Sequence, residues 1–330
     1  MAAKIYISTC HDVWDNQAFE EYLLEGEEMP ALLLWQNALA VVIGRHQNAW
    51  KEADWQSLEQ EGGQLARRLS GGGAVYHDLG NLNFTFFVAK KEYDLPRQVG
   101  IILKAVRALG VNAAFAGRND LEVNGRKFSG NAFCFRRERA FHHGTLLVNS
   151  DMGAMDRYLQ VSLEKITNKG VDSLPARVIN LEEISSKVNV SSLVEAICDS
   201  FCSYYPGAFP EKVDTSQAAP VFLKEKYASW DWRFGSSPEF GVRLSRRFSW
   251  GNLDLTCVNH LGLIERAHIY SDILNADLVD ILTDALIQQP FKSLAIRSAW
   301  QEAARRHPDL SGNDQKIIED LLSWIAEAKF

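Results

Sequence analysis

The most informative stretch of the sequence is glycine-rich and reads Arg67-Arg68-Leu69-Ser70-Gly71-Gly72-Gly73-Ala74-Val75-Tyr76-His77-Asp78. Glycine has no Cβ, so three glycines in a row can adopt positive φ and bring backbone N–H groups close to a ligand. Successive N–H groups in such a turn form a concave site for an anion, and Arg67 and Arg68 add positive charge beside it. The stretch therefore predicts a site for a phosphate or a carboxylate.

The same stretch excludes two common kinds of nucleotide site. It lacks the G-x-x-x-x-G-K-[ST] pattern of a P-loop. It is followed by a predicted hairpin, residues 74–77 and 82–88 around a turn at 78–81, rather than by the helix of a Rossmann unit. A flexible surface loop is the alternative interpretation. Any nucleotide site here must therefore be of another type.

Length and composition indicate an ordinary globular protein with two domains. The 330 residues, 46% hydrophobic and 23% charged, can bury a large core. A net charge of −7 argues against nucleic-acid binding and against a role at a membrane surface. No signal peptide is recognisable, and the longest apolar stretch, residues 31–44, is too short and too polar to span a bilayer. Five scattered cysteines are typical of a reducing cytoplasm, which is the expected location.

The order of the predicted elements favours an α+β fold. A strand is predicted over Lys4–Ser8, and a helix capped by Asp15 or Asn16 then runs to Gly26. Residues 32–35 and 40–43 form a predicted hairpin, and helices are predicted over 53–61 and 97–109. Strands dominate residues 31–148, so we expect a large mixed or antiparallel sheet flanked by helices rather than repeated βαβ units.

A further predicted hairpin places a lysine near polar residues. Asn124-Gly125 between two alternating runs is a strong signal for a two-residue hairpin turn. The turn puts Lys127 on the returning strand, beside Asn119 and Asp120 on the preceding one. A lysine among apolar residues either extends its ammonium to water or meets an anion. Lys127 is thus a candidate ligand-binding residue, with a solvated strand lysine as the alternative.

Other reactive side chains are weaker candidates. Residues 132–135 and 142–148 form a predicted hairpin, so His142 and His143 point to opposite faces, and hydrogen-bonded histidines are favoured over zinc ligands. Cys198 and Cys202 lie four apart on a predicted helix, where packing is favoured over metal binding. The chain lacks a G-x-S-x-G motif, so serine hydrolase chemistry has no support.

The C-terminal part is predicted to form a small α+β domain. Ser192 and Glu195 indicate a capping box that opens a helix ending near Tyr205. Residues 232–238 are rich in helix breakers, which predicts a boundary between domains 1–240 and 241–330. Strands over 243–248, 253–258 and 263–270 are followed by two or three predicted helices from residue 275.

Several motifs, in this order, resemble those of lipoate-protein ligases, a family related to biotin protein ligases. They are Val42-Ile43-Gly44-Arg45 with Gln47-Asn48, the glycine-rich stretch from Arg67 to Asn81, Gly117-Arg118-Asn119-Asp120-Leu121, Arg126-Lys127 with Ser129-Gly130, and His142-His143-Gly144-Thr145-Leu146-Leu147. Trp230 and Trp232 resemble the family's W-x-W segment. The resemblance covers essentially the whole chain, including the small accessory domain.

The resemblance implies a biotin/lipoate ligase-like catalytic domain over 1–240 and an accessory domain over 241–330. It implies that the chain uses ATP and Mg²⁺ to activate lipoate, or octanoate, to an acyl-adenylate with release of pyrophosphate. The acyl group would pass to a lysine of an apo lipoyl domain of a 2-oxoacid dehydrogenase E2 subunit, or of the glycine-cleavage H protein. We expect the protein to act as a monomer.

The resemblance also implies roles for individual residues. It assigns ATP and adenylate binding to Arg68, Gly73, Ala74, Val75, Tyr76, Asn119, Asp120 and Lys127. It assigns lipoate binding to Ser70, Gly72, His77, Lys127 and His143, with Phe84–Phe87 as candidate lining of an apolar tunnel. Lys127 is the expected catalytic residue, Arg45 is an additional candidate, and Mg²⁺ would arrive with ATP, with Asp120 as its candidate side-chain contact.

One departure and two alternatives qualify this interpretation. Leu174-Pro175 stands where the family's S-V-R-S-R-V segment has an arginine, which predicts a different partner preference if that arginine contacts the acceptor or the adenylate. An ATP-independent octanoyl or lipoyl transferase of the same fold is one alternative function. A non-catalytic module that binds lipoate or a nucleotide is the other. A biotin ligase is disfavoured because the chain lacks a G-R-G-R loop.

Overall fold

The computed structural model describes residues 3–26, 29–117, 119–159, 177–234, 242–260 and 263–328. The chain divides into two compact units. The large unit comprises Met1–Ile43, Ala49–Arg68 and Ala74–Arg233, and the small unit comprises Gly44–Asn48, Leu69–Gly73 and Phe234–Phe330. The predicted domain boundary at residues 240 and 241 lies outside the described residues. Two short loops that precede that boundary, residues 44–48 and 69–73, group with the small unit.

The large unit alternates strands and helices irregularly along the chain. Its elements are β1 (Lys4–Ser8), α1 (Val13–Glu25), β2 (Ala31–Trp35), β3 (Ala40–Ile43), α2 (Ala49–Glu52), α3 (Trp55–Gln60), β4 (Gln64–Arg67), β5 (Val75–His77), β6 (Asn81–Ala89), α4 (Leu95–Ala108), β7 (Ala114–Ala116), β8 (Asp120–Val123), β9 (Arg126–Arg136), β10 (Arg139–Leu147), α5 (Met152–Tyr158), α6 (Val190–Tyr204), β11 (Pro210–Val213), α7 (Thr215–Ala218), α8 (Val221–Ala228) and α9 (Trp230–Phe234). Short 3₁₀ turns cover Lys90–Glu92 and Leu181–Glu183.

An eight-stranded mixed sheet forms the centre of the large unit. Its strand order is β11-β1-β2-β6-β10-β9-β8-β7. Strand β1 is parallel to both of its neighbours, and the pairs from β2 to β7 are antiparallel. The predicted α+β class, with a large mixed sheet flanked by helices, is therefore confirmed.

The two faces of this sheet have different roles because successive side chains on a strand point to opposite faces. Phe84 and Phe86 on β6 pack in a core with residues of α4 and α6. Thr85, between them, points to the other face, where its hydroxyl donates to Glu20 on α1. In the antiparallel register His143 lies opposite Thr85, and His142 lies opposite Phe86. The two neighbouring histidines therefore lie on different faces, as predicted.

A second sheet corrects two of the predicted hairpins. Strands β4, β3 and β5 form a separate three-stranded sheet in that order. Strand β2 pairs with β1 and β6 instead of β3, so the predicted hairpin of residues 32–35 and 40–43 is wrong. Likewise β5 pairs with β3 and β6 pairs with β2 and β10, so the turn at 78–81 connects two sheets. In both places, pairing with distant strands replaces pairing across a short turn.

The hairpin that carries Lys127 is confirmed. Asn124 and Gly125 adopt φ of 54° and 73°, and β8 pairs with β9 across them. Both central residues of a type I′ turn need positive φ, which Asn and Gly tolerate best. Lys127 lies on β9, as predicted. The hairpin between β9 and β10 is also confirmed, although both strands are longer than the sequence indicated.

Two helix caps differ from the predicted ones. Helix α1 is capped by Asp12, whose carboxylate accepts hydrogen bonds from the amides of Trp14 and Asp15 at 2.8 and 3.0 Å. Helix α6 is capped by Asn189, and Ser192 is the third helical residue of its capping box rather than the N-cap. Both helices therefore begin earlier than predicted.

The small unit contains an antiparallel sheet and three described helices after it. The strands are β12 (Val242–Phe248), β13 (Gly251–His260) and β14 (Leu263–Ser271), and the helices are α10 (Ala276–Asp284), α11 (Ser293–Arg306) and α12 (Gly312–Glu327). Apolar side chains of all three helices and of the sheet, among them Trp300 and Leu321, form one core. This confirms a small C-terminal α+β unit.

None of the helices among the described residues is both long and apolar enough to cross a bilayer.

The cap of α1 provides a stability test. We expect Asp12→Ala to lower the free energy of unfolding by about 1 kcal/mol, because two amides of the first turn lose their acceptor. Asp15→Ala is the control: Asp15 caps nothing, and burial beside Asp12 raises the pKa of its carboxyl. Urea unfolding measures both variants, and an equal loss in the two would show that Asp12 is not the cap.

Candidate active site

Lys127 and Asp120 form an ion pair on neighbouring strands. The Nζ atom of Lys127 lies 2.7 Å from Oδ1 of Asp120, and the two side chains are 37% and 30% exposed. The backbone of Lys127 is fixed as well, because its carbonyl accepts from the amide of Ile179. The alternative of a solvated strand lysine does not describe this residue, which is half-buried and paired. Its ammonium is held in place yet can be reached by an anionic ligand.

Gly130 makes room for the Lys127 side chain. A Cβ atom at residue 130 would lie 3.0 Å from Nζ and 3.1 Å from Cε of Lys127. The same position would be 3.9 Å from Oγ1 of Thr145, and the Gly130 amide donates to that hydroxyl at 3.2 Å. Thr145 and His143 are two residues apart on β10 and therefore share a face. The Lys127 ammonium thus lies on the same sheet face as His143.

Asn119 is anchored to strand β9. The side-chain Nδ2 of Asn119 donates to the backbone carbonyl of Asn131 at 2.8 Å, and the side-chain Nδ2 of Asn131 donates to the backbone carbonyl of Asn119 at 2.9 Å. Asn131 Oδ1 then faces Nε2 of His142 at 2.9 Å, and His142 Nδ1 faces the Gln98 side chain at 3.1 Å. This series of hydrogen bonds fixes Asn119, the residue directly before Asp120. His142 is thus the hydrogen-bonded histidine that was expected.

His143 belongs to a buried polar cluster around a carboxylate. Its Nδ1 lies 2.9 Å from Oε1 of Glu20, and the same oxygen accepts from Thr85 at 2.7 Å. The indole nitrogen of Trp35 donates to Thr85 Oγ1 at 3.1 Å. The Glu20 side chain is only 2% exposed, so it needs these donors to remain in the interior. We refer to Glu20, Trp35, His77, Thr85 and His143 as the Glu20 cluster.

Arg68 is a buried cation whose charge interacts with that of Glu20. Burial lowers the pKa of Arg68 to about 10, and the charge of Glu20 acts in the opposite direction. The guanidinium therefore stays protonated at neutral pH. Its Nη1 donates to the carbonyl of Val42 at 3.2 Å. An oppositely charged neighbour reduces the cost of burying each group.

His77 lies beside these charges as a neutral ring. Its Nδ1 lies 2.8 Å from the side-chain nitrogen Nδ2 of Asn37. The ring meets that of Trp35 edge-on, with 6.2 Å between the ring centroids. Burial lowers the pKa of His77 to about 3, and the positive charges of Arg68 and His143 lower it further. The Nε2 atom is buried and has no hydrogen-bond partner among the described residues.

The remaining large-unit candidates follow the glycine-rich loop. Ala74 and Val75 are half-buried, and Val75 pairs with Val42. Tyr76 is buried and its ring stacks on Tyr158 at 6.3 Å. Burial, together with nearby acidic groups, raises the pKa of the Tyr76 phenol. Tyr76 is therefore a neutral hydroxyl at physiological pH.

The glycine-rich loop itself is built into the small unit. Gly72 has φ of 91° and donates to the carbonyl of Ile273 at 3.1 Å. A Cβ atom at Gly71 would lie 2.0 Å from that carbonyl oxygen, so a side chain there is excluded. The amide of Arg45 donates to the carbonyl of Ser70 at 2.9 Å. Residues 70–72 are buried, so the alternative of a flexible surface loop is not supported, whereas Gly73 is exposed.

Some expected features lie elsewhere or were missed. Phe84 and Phe86 pack in the core on the face opposite Thr85, so they do not line a tunnel on the Lys127 face. Arg118 and residues 160–176, which include Leu174-Pro175, lie outside the described residues. Glu20 and Asn37 were not predicted. Asn16 and Glu20, four apart on one face of α1, were the available signal for the first of them.

No group of three His, Cys, Asp or Glu side chains among the described residues is placed to hold a metal ion. Cys198 is buried in the core, as the packing interpretation predicted.

Comparison with known proteins assigns the family. Residues 12–202 match the family described as the lipoyl protein ligase A/B catalytic domain, and residues 237–325 match the bacterial lipoate protein ligase C-terminus. The chain belongs to the lipoate-protein ligase family. The resemblance seen in the motifs is therefore confirmed, and with it the ligase class of enzyme.

Individual relatives agree with this assignment over nearly the full length. Lipoate-protein ligase A of Psychrobacter cryohalolentis is 39% identical over 98% of this chain and 98% of its own. A crystal structure of P. falciparum LipL1 in complex with lipoate superposes with a TM-score of 0.84 at 27% identity, covering 99% of this chain and 100% of that one. A chain from the bi-partite ligase and E2 lipoyl domain of Thermoplasma acidophilum has a TM-score of 0.63 at 25% identity, covering 73% of this chain and 100% of that one.

The two buried neutral histidines predict sensitivity to acid. Burial lowers the pKa of His142 to about 3, with a further contribution from the positive charge of His143. Between pH 6.5 and 3, the unfolded chain binds a proton at this residue that the folded chain does not. Stability therefore falls on acidification, by up to about 1.4 kcal/mol per pH unit for each such histidine.

We expect His142→Gln to reduce this dependence. Urea unfolding at pH 6.5 and pH 5.0 measures the slope of the unfolding free energy, and His307→Gln, at an exposed position, is the control. A slope in His142→Gln equal to that of the wild type would contradict the assignment of His142 as a neutral core histidine.

Proposed function

We propose that this chain activates lipoate with ATP to lipoyl-AMP and pyrophosphate, and then transfers the lipoyl group to a lysine of an acceptor protein. The observation that carries the proposal is the Lys127–Asp120 pair, an accessible ammonium held over Gly130 on the same sheet face as the buried Glu20 cluster. The lipoate in the P. falciparum relative and the E2 lipoyl domain in the T. acidophilum system support the choice of substrate and acceptor.

The placement of the substrate follows from the spacing along β10. The carboxylate of lipoate pairs with the Lys127 ammonium near Thr145. His143 is two residues away from Thr145, which corresponds to about 6.6 Å along a strand. An acyl chain that starts at Lys127 and runs along this face therefore reaches the Glu20 cluster with its far end. His77 and His143, both assigned to lipoate by the motifs, lie there.

The first reaction needs alignment and charge stabilisation. A carboxylate oxygen of lipoate attacks the α-phosphorus of ATP, the bond to the bridging oxygen breaks, and pyrophosphate leaves. Lys127 holds the carboxylate and the α-phosphate together and offsets their negative charges, while Asp120 and Asn119 orient the lysine and the adenylate. Backbone amides of Gly73, Ala74, Val75 and Tyr76, with Arg68, are the proposed phosphate-binding groups. Ser70 and Gly72 are proposed lipoate-binding residues, and Arg45 is an additional candidate.

The second reaction uses the same lysine. The neutral amine of an acceptor lysine attacks the carbonyl carbon of lipoyl-AMP, an amide bond forms, and AMP leaves. The Lys127 ammonium polarises the carbonyl and stabilises the oxyanion that develops on it. Lipoyl domains of E2 subunits and the glycine-cleavage H protein are the proposed acceptors.

Mg²⁺ fits this site only as a partner of ATP. The single proposed side-chain ligand, Asp120, is already paired with Lys127, so phosphate oxygens and water would supply most of the coordination. When bound, the ion would neutralise charge on the leaving pyrophosphate.

The catalytic role of Lys127 is tested by its removal. We expect Lys127→Ala to reduce lipoate-dependent pyrophosphate release by about a hundredfold to a thousandfold, since removing one preorganised donor from a transition state costs on this scale. Lys104→Ala, at a lysine on α4 that bonds to Ser203, is the matched control and should behave like the wild type. Pyrophosphate release from Mg–ATP is measured with and without lipoate.

The same assay separates the alternatives. Near-normal release from Lys127→Ala would refute the assigned role. No release from folded wild-type protein would favour an ATP-independent transferase, which acyl-protein donors would then test directly.

Gly130→Ala tests how closely the lysine must be placed. An added methyl group displaces the end of the Lys127 side chain by a few tenths of an ångström without entering the core, so we expect about a tenfold fall in kcat/KM at unchanged stability. Gly100→Ala is the control, because its methyl group would make only an ordinary 3.7 Å contact with the hydroxyl of Tyr204. Full activity in Gly130→Ala would show that the lysine has freedom to move.

A further inference from the structure

We propose that Asn16 and Asn37 fix the tautomer of His77, so that its Nε2–H donates to a sulfur of the lipoate dithiolane and makes the site prefer lipoate to octanoate. The inference rests on the proposed function, and adds to it two positioning residues and a reason for substrate choice. A series of hydrogen bonds links Asn16, Asn37 and His77, and each orientation in it is set by the one before.

The orientation of the Asn16 amide is determined by its surroundings. Asn16 is fully buried, and its Oδ1 accepts from the hydroxyls of Ser8 and Thr215 at 2.7 and 2.8 Å. Its Nδ2 lies 3.1 Å from the carbonyl of Cys10 and 3.0 Å from that of Gln36. Carbonyl oxygens only accept, so this side of the amide must be the NH₂ group.

The second amide follows from the first. Asn16 Nδ2 also lies 3.0 Å from the side-chain oxygen of Asn37. The two N–H groups of Asn16 are thus shared among three acceptors, and an NH₂ group of Asn37 in this place would face another NH₂ group with no acceptor between them. Asn37 therefore presents Oδ1 to Asn16 and turns its own NH₂ group towards His77. The distance from that nitrogen to His77 Nδ1 is 2.8 Å, so Nδ1 must be the unprotonated acceptor.

The proton of the neutral ring is therefore on Nε2, on the opposite edge of the imidazole from Asn37. His77 is 3% exposed, and Nε2 has no partner among the described residues. Burial and the nearby charge of Arg68 lower the pKa of His77, so the ring offers one N–H donor and no charge at neutral pH. A buried donor without an acceptor is unfavourable, and a ligand atom that accepts from it is favoured.

Lipoate and octanoate differ at the end of the chain that would reach this donor. Lipoate carries two ring sulfurs there, which are weak acceptors, whereas octanoate ends in methylene and methyl groups. The ring of Trp35, which meets His77 edge-on, adds an aromatic surface against which sulfur packs well. Octanoate would leave the N–H without an acceptor. The expected preference for lipoate is about tenfold in kcat/KM, the size of one buried hydrogen bond.

The preference is measured as the ratio of kcat/KM for lipoate to that for octanoate, in pyrophosphate release from Mg–ATP. We expect His77→Phe, which keeps a ring but no donor, to lose most of this ratio, and His77→Gln, which places an amide nitrogen near Nε2, to retain it. Asn37→Leu should lower the ratio by freeing the other tautomer. Asn180→Leu removes a buried amide that bonds to Ser150 and should leave the ratio unchanged.

A second measurement reads the tautomer directly. The ¹⁵N shifts of histidine-labelled wild type should show His77 protonated on Nε2, and Asn37→Leu should shift this distribution. A wild type protonated on Nδ1, or a His77→Phe variant with an unchanged ratio, overturns the inference while the proposed function stands. If neither lipoate nor octanoate supports pyrophosphate release from Mg–ATP, the proposed function is overturned instead.

Discussion

The burial of one carboxylate, Glu20, constrains much of the large unit. A carboxylate that is 2% exposed must find hydrogen-bond partners, and it finds them on two separate segments, at Thr85 on β6 and His143 on β10. The buried guanidinium of Arg68, after β4, adds a positive charge that interacts with it. This requirement fixes which face of the central sheet looks towards α1. The opposite face is then free to carry the phenylalanine-rich core with α4 and α6.

The same alternation of faces links structure to chemistry. His143 and Thr145 project to one side of β10, and the missing side chain at Gly130 lets Lys127 lie across that side. In the proposed mode of binding, the ammonium takes the carboxylate of the acid and the buried polar cluster receives its far end.

Local turn chemistry was predictable, and long-range pairing was not. Asn124-Gly125 specified its hairpin because both residues tolerate positive φ, whatever the rest of the chain does. The run 32–43 looked like an equally good hairpin, yet β2 and β3 separate into different sheets. Each apolar strand gains more by pairing on both sides with distant strands than by pairing across the nearest turn, and that choice depends on all strands together.

The sequence by itself determined the α+β class, the position of Lys127 after a hairpin turn and membership in the ligase family, because each depends on residues that are neighbours in the chain. Only the tertiary structure decided that Glu20 and Asn37 join the candidate site, that Phe84 and Phe86 face away from it, and which nitrogen of His77 carries the proton. Those outcomes depend on hydrogen bonds between segments as distant as Asn16 and Thr215, since burial requires every polar group to find a partner wherever the fold provides one.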